Sequence, residues 1–144
     1  MDLRAGDKVR IGMLGCAITA ERTMFLPMQE GAAITVAAVA ARDPARAADY
    51  TRENGIPAVF PSYEALLAEA DVDAVYVPLP NALHHRWVLA ALEAGRHVLC
   101  EKPLAVDARQ AAEMVAMAEE RGLLLVEAFH WRHHPLALRL AELV

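Results

Sequence analysis

The chain has 144 residues, 56% of them hydrophobic, and a formal net charge of −5. That length suits one domain with a real core, and that composition excludes a disordered chain. The acidic balance, with its 14 basic residues scattered rather than clustered, argues against a nucleic-acid partner.

Strand and helix patterns alternate along the chain. Lys8–Leu14 (KVRIGML) predicts a first strand, β-branched and followed by Gly15. Ile18–Gly31 predicts a helix with a kink at Pro27 and a stop at Gly31. Ala33–Ala41 is apolar throughout and predicts a second strand. Asp43–Gly55 predicts a helix with Asp43 as N-cap, Pro44 in the first turn and Gly55 as stop. Ala58–Phe60 predicts a short third strand. Ser62–Ala70 predicts a helix opened by an imperfect capping box, with Ala65 where Glu is ideal.

Val72–Pro80 predicts the fourth strand and Asn81–Gly95 a helix capped by Asn81. Arg96–Glu101 predicts the fifth strand. Asp107–Gly122 predicts a helix with Asp107 as N-cap, and Leu123–Phe129 the sixth strand. Pro135 opens a last helix. Apolar strands alternating with capped helices imply a parallel sheet covered on both faces. Right-handed crossovers make it a doubly wound α/β fold, and six strands fit the order 3-2-1-4-5-6. Ligands in such sheets sit outside the carboxyl ends of the strands, so the residues just past each strand carry the functional argument.

Past the first strand lies GCAITA, Gly15–Ala20, a G-x-A-x-x-A variant of the dinucleotide motif. Gly15 makes the tight turn, Ala17 leaves room for backbone to approach a pyrophosphate, and Ala20 allows close helix–strand packing. An ordinary tight turn is the alternative. Past the second strand, Arg42 stands where an NAD-specific protein places an acid. It suits the 2′-phosphate of NADP, which is expected over NAD, though a solvated surface arginine has the same sequence. Asp43, one position late, reads better as the helix cap.

Past the fourth strand, Pro78 and Pro80 stiffen an extended turn before Asn81, His84 and His85. His84, one helical turn after Asn81, is the better functional candidate; a plain surface histidine is the alternative. Two adjacent histidines on a helix point in different directions, so no metal site is expected. Past the fifth strand comes Glu101-Lys102-Pro103. Lys102 there can hydrogen-bond a substrate hydroxyl or carbonyl and relay a proton.

Cys16 and Cys100 show no ligand spacing and read as buried free thiols of a reducing cytosol. The N-terminal MDLRAGDKVR is too polar for a signal peptide, and no apolar run approaches the roughly 20 residues of a membrane span. A soluble, cytoplasmic protein is expected.

GCAITA, VAARDPARA, VPLPNALHHRWVLAALEAGRHVLCEKPLA and GLLLVEAFHWRHHP together resemble the glucose–fructose oxidoreductase / inositol dehydrogenase (Gfo/Idh/MocA) family, from Lys8 to Pro135. They look most like its branch of dimeric dihydrodiol dehydrogenases and glucose–fructose oxidoreductase, which favours NADP. The resemblance implies that Lys102 is the active-site lysine, with His84 beside it in catalysis, and that Glu101 borders the nicotinamide. It implies that Gly15, Cys16, Ala17 and Ile18 meet the pyrophosphate and Arg42 the 2′-phosphate. Leu79, Pro80, Asn81 and His84 would line the cofactor cleft, and Trp131 and Arg132 would match an aromatic-Arg segment near the nicotinamide.

Family members are about twice this long, and their second domain carries most of the substrate pocket and the dimer interface. Residues 1–135 are therefore expected to be the dinucleotide-binding domain, and 136–144 the start of the helix leading to an absent second domain. The implied activity is hydride transfer between NADP(H) and the hydroxyl or carbonyl carbon of a sugar, polyol, cyclitol or dihydrodiol. A homo-oligomer is expected of a full-length protein. A dinucleotide-binding module or sensor without catalysis is the competing reading.

Overall fold

The computed structural model describes residues 8–143. Six strands form one parallel sheet: β1 (Val9–Leu14), β2 (Ile34–Ala40), β3 (Ala58–Phe60), β4 (Ala74–Val77), β5 (His97–Cys100) and β6 (Leu125–Glu127). Their order is β3-β2-β1-β4-β5-β6, as expected from the alternation of strand and helix patterns. The helices are α1 (Leu26–Gln29), α2 (Pro44–Asn54), α3 (Tyr63–Glu69), α4 (His84–Glu93), α5 (Ala108–Glu120) and α6 (Pro135–Leu143).

Burial on both faces explains why the central strands read as continuous apolar runs. On one face Leu14, Val75, Val77 and Val98 pack with Leu66, Trp87, Val88, Leu92 and Met114 from α3, α4 and α5. On the other face Ile11, Met13, Val36, Val39 and Tyr76 pack with Ala20, Met24, Phe25 and Ala47. Gly12 lets α3 pack close to β1: a Cβ there would stand 2.9 Å from Leu66 Cδ2.

The caps follow the chemistry of their residues. Asp43 Oδ1 accepts from the Ala45 and Arg46 amides, Ser62 Oγ from the Ala65 amide, and Asp107 Oδ1 from the Gln110 amide. Ser62 thus caps without the glutamate of a full capping box. At the N-terminal end of the sheet, Arg10 donates to Asp73 from its main-chain amide (2.8 Å), Nε (3.1 Å) and Nη2 (2.8 Å), joining β1 to the start of β4.

Two expected helices differ. The first begins as a π-helical turn, Glu21–Phe25, and continues as α1 with Pro27 near its start. Pro27, which has no N–H to donate, stands just past the π-helical turn. The fourth begins as a 3₁₀ turn, Asn81–Leu83, which precedes α4. No side-chain cap bond forms at either start, so Asn81 is not the expected N-cap.

Candidate active site at the carboxyl edge of the sheet

The carboxyl ends of β1, β2 and β4 enclose a groove of about 290 Å³. Its walls include Gly15, Cys16 and Ala17 on one side, Ala41, Arg42 and Arg46 on another, and Tyr63, Pro78, Leu79 and Pro80 on the third. A larger cavity of about 600 Å³ lies between the π-helical turn and α2, with Ile18 in its wall. It includes no residue from the ends of β4 or β5, so the smaller groove is the candidate ligand site.

The loop after β1 is held from α2. Arg46 Nη2 donates to the Cys16 carbonyl at 2.9 Å, and the Tyr50 hydroxyl donates to the Ala17 carbonyl at 3.0 Å. Trans peptide units oppose their C=O and N–H, so the next amides, Ala17 and Ile18, point away from those anchors. The amides of Cys16, Ala17, Ile18 and Thr19 donate to no main-chain acceptor among the described residues. Free amides in a short turn suit an anion. Burial pushes the Tyr50 hydroxyl up to about 12, which keeps it a neutral donor.

Gly15 turns at φ +105°, and a Cβ there would lie 3.3 Å from Leu79 Cδ2. Only glycine takes that conformation readily, so the tight turn assigned to it is real. Ala20 is fully buried, as close helix packing requires. Arg42 is exposed at the rim and Asp43 is spent on capping α2. The rim therefore carries two guanidinium groups beside the Asp43 carboxylate, whose Oδ1 caps α2.

The Glu101–Leu104 turn follows β5 and stands beyond the Leu79 wall. Its Lys102–Pro103 peptide bond is cis. Glu101 Oε2 accepts from the Lys102 amide at 3.2 Å, and Glu127 Oε1 accepts from the Leu104 amide at 2.8 Å. The Tyr76 hydroxyl donates to Glu101 Oε1 at 2.8 Å. The Lys102 side chain is exposed, and it enters no ion pair among the described residues.

His84 is placed differently from its expected catalytic position. It is 1% exposed, with Nε2 2.7 Å from the Leu79 carbonyl oxygen and Nδ1 2.9 Å from the Pro103 carbonyl oxygen. Both partners are main-chain acceptors. With both nitrogens engaged on main chain, His84 offers none to a substrate. It ties the groove wall to the Lys102 turn instead.

Asn81 Oδ1 is buried without a partner among the described residues, one position past Pro80 in the groove wall. It is an acceptor left for a donor from outside the chain. Trp131 and Arg132 lie in a 3₁₀ turn after β6; Trp131 stacks on His134 at 5.5 Å, and neither residue lines the groove. Arg46, Tyr50, Tyr63 and Tyr76 were not foreseen. Arg46 and Tyr50 share one face of α2 by their spacing of four, a signal present in the sequence.

Among the described residues, no cluster of three metal-ligating side chains exists and no helix is long and apolar enough to cross a membrane.

Known proteins place the chain in a family. The profile of an oxidoreductase family with an NAD-binding Rossmann fold matches residues 9–129. D-xylose 1-dehydrogenase (NADP(+)) 2 from Haloferax volcanii is 48% identical over 133 residues, 92% of this chain and 41% of that protein. dTDP-3,4-didehydro-2,6-dideoxy-alpha-D-glucose 3-reductase from Actinomadura kijaniata is 47% identical over 139 residues, 96% of this chain and 41% of that protein. The crystal structure of a 3-ketoreductase from Actinomadura kijaniata with NADP and TDP-benzene superimposes with a TM-score of 0.87. It is 44% identical, covering 95% of this chain and 42% of that one. The chain thus spans about two fifths of the length of these relatives. By the profile and these identities, the chain belongs to the Gfo/Idh/MocA oxidoreductase family, as its NAD-binding Rossmann domain.

Proposed function

We propose that the chain is the cofactor-binding part of an NADP(H)-dependent oxidoreductase acting on a sugar-like hydroxyl or carbonyl. The observation that carries this reading is the groove itself. A glycine turn borders it, the Cys16–Thr19 amides beside that turn have no main-chain acceptor among the described residues, Arg42 and Arg46 rim it, and His84 links its Leu79 wall to the Lys102 turn. The residues fit the cofactor: the loop has amides for a pyrophosphate, the rim has guanidinium groups for a 2′-phosphate, and Asn81 Oδ1 awaits a donor.

When bound, NADP(H) supplies or accepts the hydride at its nicotinamide ring. The chain's own residues do the rest. Gly15, Cys16, Ala17 and Ile18 bring backbone to the phosphates, while Arg46 and Tyr50 keep that backbone turned. Arg42 pairs with the 2′-phosphate. Leu79, Pro80 and Asn81 form the wall between the phosphate loop and the Lys102 turn, with His84 holding it. Lys102 Nζ donates a hydrogen bond to the substrate oxygen and stabilises negative charge there as the carbon changes hybridisation; Glu101 fixes the turn. The relatives named above act on xylose and on a dTDP-linked keto sugar, which supports a sugar-like substrate for this protein.

Replacing Lys102 with alanine in the complete protein tests the reading. A loss of turnover with NADPH binding retained supports it. Unchanged turnover refutes the role of Lys102.

A further inference from the structure

Three consecutive main-chain groups of the Lys102 turn are each held by a side chain. Glu101 Oε2 accepts from Lys102 N–H, His84 lies against the Pro103 carbonyl, and Glu127 Oε1 accepts from Leu104 N–H. Glu101 is the one whose own carboxylate is held in turn, and its holder is Tyr76.

Tyr76 is 1% exposed and sits in β4, among apolar side chains on the α1 and α2 face of the sheet. Phenylalanine fills nearly the same volume there, so the hydroxyl answers to its polar partner. Its contact to Glu101 Oε1 is 2.8 Å, and that to Thr23 Oγ1 is a long 3.5 Å. Burial, first among the causes, raises its ionisation to about 12, so the hydroxyl keeps its proton and donates. A carboxylate next to a lysine has an obvious alternative, pairing with the ammonium group. Here one oxygen is committed to a buried hydroxyl and the other to the lysine's own amide, so the Lys102 side chain stands free of it.

We propose that Tyr76 is a positioning residue for Lys102: its buried hydroxyl anchors Glu101, and Glu101 fixes the Lys102 main chain and leaves the ammonium group to the substrate. The functional part rests on the reading of Lys102 as the residue that meets the substrate. The anchoring is tested apart from it.

The chain contains two lysines, Lys8 and Lys102. Reductive methylation with ¹³C-formaldehyde therefore yields two lysine signals besides the N-terminus, and amide spectra of ¹⁵N-labelled chain report the main chain. In Tyr76→Phe the Lys102 amide proton moves upfield as its acceptor loosens, the Lys102 methyl signal shifts, and Lys8 stays in place. Thr23→Val leaves all of these unmoved. Lys102 signals that coincide with the parent chain in Tyr76→Phe overturn the proposal, as does a displacement shared equally by Lys8. If Tyr76→Phe does not fold, Glu101→Leu serves: it removes both carboxylate oxygens, so Lys102 N–H loses its acceptor, and the same upfield movement is expected, with coincidence again overturning the proposal. None of these readouts depends on turnover, so they stand or fall separately from Lys102→Ala.

Discussion

The His84 ring reaches from the first turn of α4 to the Pro103 carbonyl oxygen, 2.9 Å from Nδ1, while its Nε2 lies 2.7 Å from the Leu79 carbonyl oxygen. One buried side chain thus spans the two segments that the site needs in register, the groove wall and the lysine turn. Replacing His84 with alanine leaves two inward carbonyls without this partner and opens a void. The expected loss of stability is about 3 kcal/mol, from the unmet acceptors together with the cavity. Urea unfolding of the variant measures it.

Tyr50 and Arg46 carry a second prediction. Tyr50→Phe removes the hydroxyl from the Ala17 carbonyl and nothing else. The loop then holds its amides outward less firmly, and NADPH binding weakens by roughly fivefold, the equivalent of about 1 kcal/mol for one hydrogen bond. Arg46→Ala removes the Cys16 anchor and a rim charge together, so its effect on NADPH titrations exceeds that of Tyr50→Phe.

Arg42 predicts selectivity. Arg42→Ala weakens NADPH binding by roughly tenfold to a hundredfold, as for loss of a charge-assisted bond to phosphate, and leaves NADH binding nearly unchanged. Parallel titrations with the two cofactors give the ratio.

Gly15→Ala puts a Cβ into a φ of +105° and against Leu79 Cδ2. The strain costs about 1–3 kcal/mol and moves the loop that the pyrophosphate needs. Both the urea midpoint and NADPH affinity fall.

Asp73 predicts a pH dependence. The Arg10 hydrogen bonds, first among the causes, hold its carboxyl below the ordinary value of 3.8. A carboxyl lowered in the folded state contributes stability that is fully present above its unfolded value. That contribution is lost as pH falls through the folded value. Between about pH 5 and about pH 3, the urea midpoint of the parent chain therefore falls more steeply than that of Asp73→Asn.

Much of this arrangement was legible in the residues. The alternation of apolar runs and capped helices predicted the strand order, and Asp43 caps α2 as its position suggested. Of the residues read one strand end at a time, Gly15, Ala17 and Arg42 line the groove, while Ile18, Trp131 and Arg132 do not. Residues whose role depends on register were read less well. Tyr76 looked like one apolar member of VDAVYVPLP, because its partner Glu101 lies 25 positions away. They meet because β4 and β5 pair in parallel with Tyr76 opposite Leu99, two positions before Glu101. His84 was placed one turn after Asn81 on a single regular helix. The 3₁₀ turn at Asn81–Leu83 instead turns its ring inward, onto the carbonyls that lie on either side of it.

The central claim is a preformed site for NADP(H) on this chain. Its most direct test is a tryptophan-fluorescence or calorimetric titration of the 144-residue chain with NADPH and, in parallel, NADH. The account predicts saturable binding of NADPH with a clearly lower Kd than NADH. Absence of binding by both, or NADH bound as tightly as NADPH, contradicts it.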